Sequence, residues 1–510
     1  MTNDNRNSND KRKRSDGPPR SGGPGGARIK PRDAKRGPSR SGGPHDGKRD
    51  GKRDGPARDN NRDGGQGEGK RDRSRPDPTK GLDSRCAALD LVERVCGGEP
   101  LEEALERTPA FTALTGSDRA FARALASTVL RRRGAIDHVI SAFIDRPLPK
   151  KSHRVTDVLR LATAQSLLLG VPDHATVSTS VDLARLRRET AGYAKLINAV
   201  ARKIAAKGPA LLEKAPPRAD TPAWMWRAWD RAYGPLRTRA IAQAHQGLAP
   251  LDLTIKDKNA VADYANRLDA EELSDQTIRL KKAQDVTSLE GFEAGDWWVQ
   301  DFAAALPVRL LGDVTGKTVF DLCAAPGGKT MQLAARGARV IAVDRAEDRL
   351  TRLNENLRRV DLHAQTICAD VLRWEPAIEA DAILLDAPCS ATGTLRRHPD
   401  IAWTKSETDI AALEALQVKM IDRVARFLKP GGLLIYCVCS LQREEGEAQA
   451  EAALARHNNF SRVPVTSDGD IIPEEAITRA GDLRSLPSMA PKAGIRGGMD
   501  GFFAVRLQKN

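Results

Sequence analysis

From about residue 83 onward, apolar side chains recur every three or four positions. SRCAALDLVERV (84–95), DRAFARALASTVLRRR (118–133), VTDVLRLATAQSLLLG (155–170) and GYAKLINAVARKIA (192–205) each read as an amphipathic helix, because such spacing gathers side chains on one helical face. Asp118 stands where a helix could be capped, and Gly134, Gly170 and Gly208 stand where helices could stop. No β-branched alternation interrupts residues 83–207, so the pattern predicts an all-α bundle over 81–208. After residue 301 the period changes. KTVFDLCA, ARVIAVD, HAQTICAD, ADAILLDAP and GGLLIYCVCS are short apolar runs, separated by helical text such as KTMQLAARG and RLTRLNENLRR, and GFFAVRLQK adds a last strand. This alternation predicts an α/β Rossmann-like domain over 301–510, a parallel sheet that binds ligands beyond its strand C-termini. Between the two units, residues 209–300 read as a small α+β linker subdomain: PAWMWRAWDRAYG as a helix, LDLTIKD and GDWWVQD as strands. Trp224, Trp226 and Trp229 read as packing anchors rather than base-stacking platforms.

A chain of 510 residues suits two or three folded units. Its net charge of +14 is concentrated at one end: residues 1–80 hold 23 Lys and Arg against 12 Asp and Glu. Apart from Met1 and Ile29 this segment has no large aliphatic or aromatic residue, so it cannot offset the entropy of ordering and is expected to be disordered. RSGGP recurs at 20–24 and 40–44, and GKRD at 47–50, 51–54 and 69–72. Such text reads as a nucleic-acid-binding arm, or more simply as a solubilising extension. It has no apolar core of a secretory signal and too many acids for a mitochondrial transit peptide. No stretch approaches the roughly 18 apolar residues of a membrane span. Seven cysteines in so long a chain make no disulfide framework, so a reducing, cytoplasmic compartment is expected. The basic clusters Arg131-Arg132-Arg133 and Arg185, Arg187, Arg188 favour RNA contact by the bundle over a purely structural scaffold.

DLCAAPGGKT (321–330) follows a strand and opens a helix. Gly327 and Gly328 let backbone N–H groups approach a ligand, and a helix N-terminus carries partial positive charge. The spacing is neither GxGxxG nor the phosphate-binding GxxxxGK[ST], so an NTPase is excluded while a dinucleotide site stays open. Three acids then end successive strands: Asp344, placed to accept ribose hydroxyls, Asp370, placed to meet an adenine amino group, and Asp386, beside the position of a transferred group. Their recurrence around a glycine turn suits S-adenosylmethionine.

A methyl sulfonium donor needs a nucleophile. Carbon 5 of a pyrimidine is a poor one until a thiolate adds to carbon 6 and turns the ring into an enamine. Two cysteines compete for that attack, Cys389 in Asp-Ala-Pro-Cys and Cys439 in Cys-Val-Cys-Ser, and the residues alone leave the choice open. Cys437 reads as a small buried hydrophobe, as do Cys86, Cys96 and Cys368, and Cys323 is expected to lend backbone rather than sulfur. No CxxC pair exists, so no zinc site is expected.

DLCAAPGGKT, ILLDAPCSATGTLRRHPDI, YCVCSLQREEGE, DWWVQDFAAAL and the ending DGFFAVRLQ together resemble the Sun-type RNA cytosine-5 methyltransferases. DRAFARALASTVLRRR, LRLATAQSLLLGVPDHATV and INAVARKI are similar to the NusB-like RNA-binding domain. The resemblance implies a class I methyltransferase domain, S-adenosylmethionine as cofactor, and RNA, most of all small-subunit ribosomal RNA, as partner of a monomeric enzyme without metal. It also implies that Cys439 attacks, that Cys389 promotes release, and that Asp386 holds the cytosine edge. Cys323, Ala324, Ala325, Pro326, Gly327, Gly328 and Lys329, with Asp344, Asp370 and Asp386, would hold the donor. The chain departs from the family pattern at Val438, where Thr is usual, and at Arg443-Glu444-Glu445-Gly446, where a Pro-Glu-Glu-Asn-like run is usual. Arg396 and Arg397 are candidates for phosphate contact. The rival readings are a tRNA-directed enzyme of the same chemistry and a catalytically idle RNA-binding assembly factor.

Overall fold

The computed structural model describes residues 81–282, 284–467 and 471–510; the basic arm expected over 1–80 lies outside the described residues. The first unit is a bundle of the helices Leu82–Cys96, Leu101–Arg107, Gly116–Arg131, Arg133–Ser141, His153–Leu167, Asp173–Arg185 and Ala194–Glu213, with two shorter ones between them. Leu91, Leu125, Leu130, Ile136 and Leu159 fill its core without solvent exposure. Two of the glycines expected to stop helices serve close packing instead. A Cβ on Gly134 would sit 1.7 Å from the Ala219 carbonyl oxygen, and one on Gly208 would sit 2.8 Å from a Leu167 methyl. The last helix accordingly runs through Gly208 to Glu213, beyond the predicted end of the bundle. Gly170, with φ of +65°, does follow a helix end.

A helix over Ala223–Gln246 comes next, kinked at Gly234, where φ is +79°. Trp229 is fully buried on it and Trp224 packs against the main core. Strands β1 (Asp252–Ile255), β2 (Ala270–Glu272), β3 (Thr277–Leu280) and β4 (Trp297–Val299) make an antiparallel sheet in the order β2-β3-β1-β4. The helix Val261–Arg267 covers it through Tyr264 and Ala265, against Leu253, Ile255, Ile278 and Trp297.

The third unit is an eight-stranded sheet. Its strands are β5 (Thr318–Leu322), β6 (Arg339–Asp344), β7 (Gln365–Cys368), β8 (Ala380–Asp386), β9 (Leu428–Val438), β10 (Phe460–Arg462), β11 (Leu483–Ser485) and β12 (Phe502–Lys509). The spatial order is β10-β12-β9-β8-β5-β6-β7, with β11 also on β12. Strands β5 to β9 are mutually parallel and β12 runs antiparallel to β9. The chain order reverses between β5 and β8, and the crevice at such a reversal is where open α/β sheets place their sites.

The units are joined through polar contacts that consume several arginines. Arg131 donates to the Arg396 carbonyl at 2.6 Å, Arg132 pairs with Asp220 at 2.9 Å, and the Arg133 guanidinium stacks 4.7 Å from the Trp403 ring centre. Trp403 donates its indole N–H to the Leu130 carbonyl, and Asp400 accepts from the Leu101 N–H. The Arg131-Arg132-Arg133 cluster is therefore built into the contacts of the bundle with the linker and the catalytic domain and is not a free RNA-binding surface. Arg396 and Arg397 are likewise spent internally. Arg396 is 2% exposed and pairs with Asp500 at 2.9 Å; Arg397 pairs with Asp301 at 2.6 Å and Asp500 at 3.0 Å. Sequence shows an arginine pair, whereas three-dimensional proximity supplies the carboxylates that claim it.

Asp252 on β1 holds Arg279 bidentately at 2.7 and 2.8 Å and accepts from the Phe302 N–H, tying the small sheet to the catalytic unit. Both side chains are buried. Asp252→Ala leaves a buried guanidinium without its carboxylate and is expected to destabilise the fold by about 3–5 kcal/mol. A denaturant titration that finds less than about 1 kcal/mol would contradict this assignment.

Candidate active site

Three loops leave the same edge of the sheet. The β5 loop carries the glycine turn 323–328, β8 ends at Asp386 and its loop carries Cys389 and Ser390, and β9 runs through Cys437 to Val438 before Cys439 and Ser440. Because β8 and β9 are parallel with Asp386 opposite Cys437, the motifs Asp-Ala-Pro-Cys and Cys-Val-Cys-Ser emerge side by side. Ala387 N–H donates to the Cys437 carbonyl and Gly393 N–H to the Cys439 carbonyl, both at 3.0 Å, so the pairing extends past the strands.

The outcome is a sulfur pair. Cys389 Sγ and Cys439 Sγ lie 3.5 Å apart, both half-buried. The hydrogen bond to Cys439, then burial, then the charge of that sulfur hold the Cys389 thiol well above the ordinary thiol range. Either sulfur can donate to the other across this contact. Cys437 is fully buried, and burial followed by the charge of Asp386 pushes its thiol far up. Its Sγ lies 3.7 Å from Asp386 Oδ1. The other Asp386 oxygen accepts from Lys329 Nζ at 2.8 Å. Although burial opposes it, the Asp386 carboxylate holds the Lys329 ammonium above its ordinary range.

Beside the Asp386–Lys329 pair opens a cleft of about 480 Å³, whose lining includes neither half-buried sulfur. Among its lining residues are Ala324, Ala325, Pro326, Gly328, Lys329 and Asp386. Gly327 needs its glycine for a φ of +105°. At Gly328 a Cβ would meet no protein atom nearer than 3.7 Å, so internal packing does not demand glycine there. Its absence of side chain instead keeps the cleft wall open at the N-terminus of the helix Gly328–Ala335. Of the other residues expected to hold a donor, Asp344 is 2% exposed and accepts from the N–H groups of Ala325 and Ala346, which fixes the turn from beneath. Asp370 is exposed, accepts from the Leu372 N–H, and does not line the cleft. Cys323 lends its N–H to the Val343 carbonyl at 2.8 Å, while burial drives its thiol up.

Several residues that sequence reasoning did not single out belong to this site. Asp321, at the end of β5, is fully buried and lines the cleft; Oδ2 accepts from Thr330 Oγ at 2.5 Å, and Oδ1 has no partner among the described residues. Burial pushes this carboxyl up to about 7, against the hydrogen bond from Thr330. Asp301, Arg397, His398 and Asp500 close the far wall. Ser390 and Ser440, one after each half-buried cysteine, are buried. The repeated Cys-Ser pair was a readable signal for them. Asp321 too precedes the glycine turn at a strand end, the position at which the other acids were sought.

A family model described as 16S rRNA methyltransferase RsmB/F matches residues 308–508, and one described as the NusB family matches residues 82–206. Ribosomal RNA small subunit methyltransferase B of Erwinia tasmaniensis is 33% identical over 446 residues, covering 83% of this chain and 98% of that protein. Its namesake in Vibrio cholerae is 34% identical over 362 residues, or 66% of this chain and 82% of that one. The crystal structure of PH0851 shares the fold with a TM-score of 0.65, at 24% identity over 85% of this chain and 99% of that chain. With the sheet order, the glycine turn and the paired thiols in place, these matches establish that the chain belongs to the RsmB/F family of 16S rRNA methyltransferases, with a NusB-family domain before the catalytic one.

Proposed function

We propose that this chain methylates carbon 5 of a cytosine in small-subunit ribosomal RNA through a transient bond between Cys439 and carbon 6, broken with the help of Cys389. The observation that carries the reading is the 3.5 Å separation of the two sulfurs, on loops that flank the Asp386–Lys329 pair. S-adenosylmethionine supplies an electrophilic methyl group when bound. Its place is the cleft formed by Ala324, Ala325, Pro326 and the open wall at Gly328. Asp321 offers that site an unpartnered carboxylate oxygen suited to a ligand ammonium. Asp344 acts through the turn that it holds.

The remaining steps fall to the protein. Asp386, oriented by Lys329, accepts the N–H edge of a cytosine that has left its stack. The Cys439 thiolate adds to carbon 6: the S–C6 bond forms, and the C5–C6 π pair moves to carbon 5. Once carbon 5 carries the methyl group, its proton must go. Cys439 is then a thioether without charge, which removes the hydrogen-bonded anion that had held the Cys389 proton in place. Cys389 loses that proton to solvent and takes the one from carbon 5. The freed pair re-forms the C5–C6 double bond, and the S–C6 bond breaks to return the thiolate to Cys439.

Cys439→Ala is expected to abolish both methylation and the covalent RNA adduct, whereas Cys389→Ala is expected to accumulate an adduct that survives denaturant on a gel. The reverse pattern would exchange the two roles. Because burial and the Glu445 charge still hold the Cys389 proton in the adduct, release in the unaltered enzyme should quicken as pH rises and lose that dependence in Cys389→Ala. Quench-flow release rates across pH test this, and a flat profile in the unaltered enzyme would contradict it. Asp321→Asn removes the charge offered to the donor and is expected to weaken S-adenosylmethionine binding by roughly ten- to a hundredfold in calorimetry. Unchanged affinity would place the donor's ammonium elsewhere.

A further inference from the structure

The separation of the two sulfurs needs a cause. Strand pairing brings the two loops to the same edge, but a loop can shift by an ångström or more without breaking a strand. One side chain grips both loops. Glu445, six residues beyond Cys439, is fully buried, and its carboxylate has four neutral hydrogen-bond donors. Oε1 accepts from the Ser390 N–H at 2.8 Å and from Gln417 Nε2 at 3.2 Å. Oε2 accepts from Ser390 Oγ and from Ser440 Oγ, each at 2.5 Å. Ser390 follows Cys389 and Ser440 follows Cys439, so each thiol is one peptide away from a residue held by the same carboxylate.

The clamp is itself anchored. Tyr436 Oη, on β9, donates to the Glu445 carbonyl at 2.6 Å. Gln417 comes from the helix Glu407–Val424 and also donates to the Pro388 carbonyl at 2.9 Å, in the cysteine loop itself. The hydroxyls of Ser390 and Ser440 lie 3.0 Å apart, and Thr392 Oγ accepts from the Leu441 N–H at 3.0 Å. A carboxylate buried without a cation is costly, and full satisfaction by hydrogen bonds is what makes it tolerable. Here those bonds span two loops distant in sequence, and they fix both ends of the sulfur pair. The same negative charge contributes to holding the proton on Cys389.

We propose that Glu445 is the positioning residue of the thiol pair: its carboxylate clamps the Cys389 loop to the Cys439 loop and so sets the distance across which the adduct is released. The inference rests on the two-thiol reading above. It separates release from attack, because Cys439 keeps its own strand-end support while Cys389 depends on the clamp for its approach to carbon 5. Glu445→Gln keeps an oxygen for Ser390 N–H and Gln417, and its amide can donate to hydroxyls with free lone pairs, so most of the clamp survives. Glu445→Ala removes it.

The test measures adduct and product in single turnovers with undermodified small-subunit RNA and S-adenosylmethionine, alongside thermal unfolding and donor binding. Glu445→Ala, folded and binding the donor, is expected to release product about a hundredfold more slowly and to accumulate a denaturant-stable RNA adduct although Cys389 is present. Glu445→Gln is expected to stay within about tenfold of the unaltered enzyme. In a Cys389→Ala background, Glu445→Ala should slow release no further. Should Glu445→Ala fail to fold, Ser440→Ala, which removes one arm of the clamp, carries the same test. Release at the unaltered rate in the folded variant would overturn the inference. Loss of methylation with no adduct, while Cys389→Ala still accumulates one, would overturn it too. If Cys389→Ala itself gave no adduct, the two-thiol reading would fall, and this inference with it.

Discussion

Strands β8 and β9 run parallel, with Asp386 facing Cys437 across the ladder, and everything chemical in this molecule follows from that register. Parallel neighbours send their C-terminal loops out of one edge of the sheet. The Asp-Ala-Pro-Cys loop and the Cys-Val-Cys-Ser loop therefore meet, although 50 residues separate Cys389 from Cys439 in the chain. An antiparallel β9 would have put Cys439 at the opposite edge. With β5 on the other side of β8, the glycine turn reaches the same edge, where it and Asp386 line the cleft. The register in turn rests on burial: β8 and β9 carry Ile383, Leu384, Leu385, Leu434, Ile435 and Tyr436, all withdrawn from water on both faces of the sheet.

The segment Leu395 to Trp403 has two duties. On one side it receives Arg131, Arg133 and the Leu101 N–H from the bundle, and on the other it sends Arg397 and His398 to the cleft wall. The NusB-family unit is thereby seated directly behind a wall of the active site. Asp301 and Asp500, with Arg396 and Arg397, weld the small sheet and the chain's final segment onto the same place. Buried ion clusters of this kind add little net stability over apolar packing, but losing one member is expensive. Their geometric role is to hold a wall of the cleft at fixed depth.

Much of this was legible in the sequence, for local reasons. The strands of the catalytic sheet announced themselves as apolar runs because both sheet faces are covered, and the helices of the bundle because one face is. DLCAAPGGKT was readable as a glycine turn between a strand and a helix, and Gly327 does adopt a positive φ there. What escaped was set by partners far away in the chain. Arg131, Arg396 and Arg397 read as RNA-facing until the carboxylates and carbonyls that claim them came into contact. Gly134 and Gly208 read as helix stops because the neighbours that forbid a Cβ, Ala219 and Leu167, lie in other elements. Asp344 sits at its expected strand end, yet one oxygen accepts from the glycine turn at Ala325 and the other from Ala346 in its own loop. Glu445 was visible only as part of a departure from a familiar run, since nothing local reveals that its carboxylate faces two serines from separate loops.

The bond proposed between Cys439 and carbon 6 can be trapped by a substrate that arrests the reaction after that bond forms. Small-subunit RNA carrying 5-fluorocytidine has no carbon 5 proton to lose, so release stops once the methyl is in place. Peptide mass spectrometry of the trapped complex should find a methylated fluorocytidine on Cys439 and none on Cys389. A modification mapped to Cys389, or complete absence of a trapped complex from an enzyme that methylates unfluorinated RNA, would contradict the account.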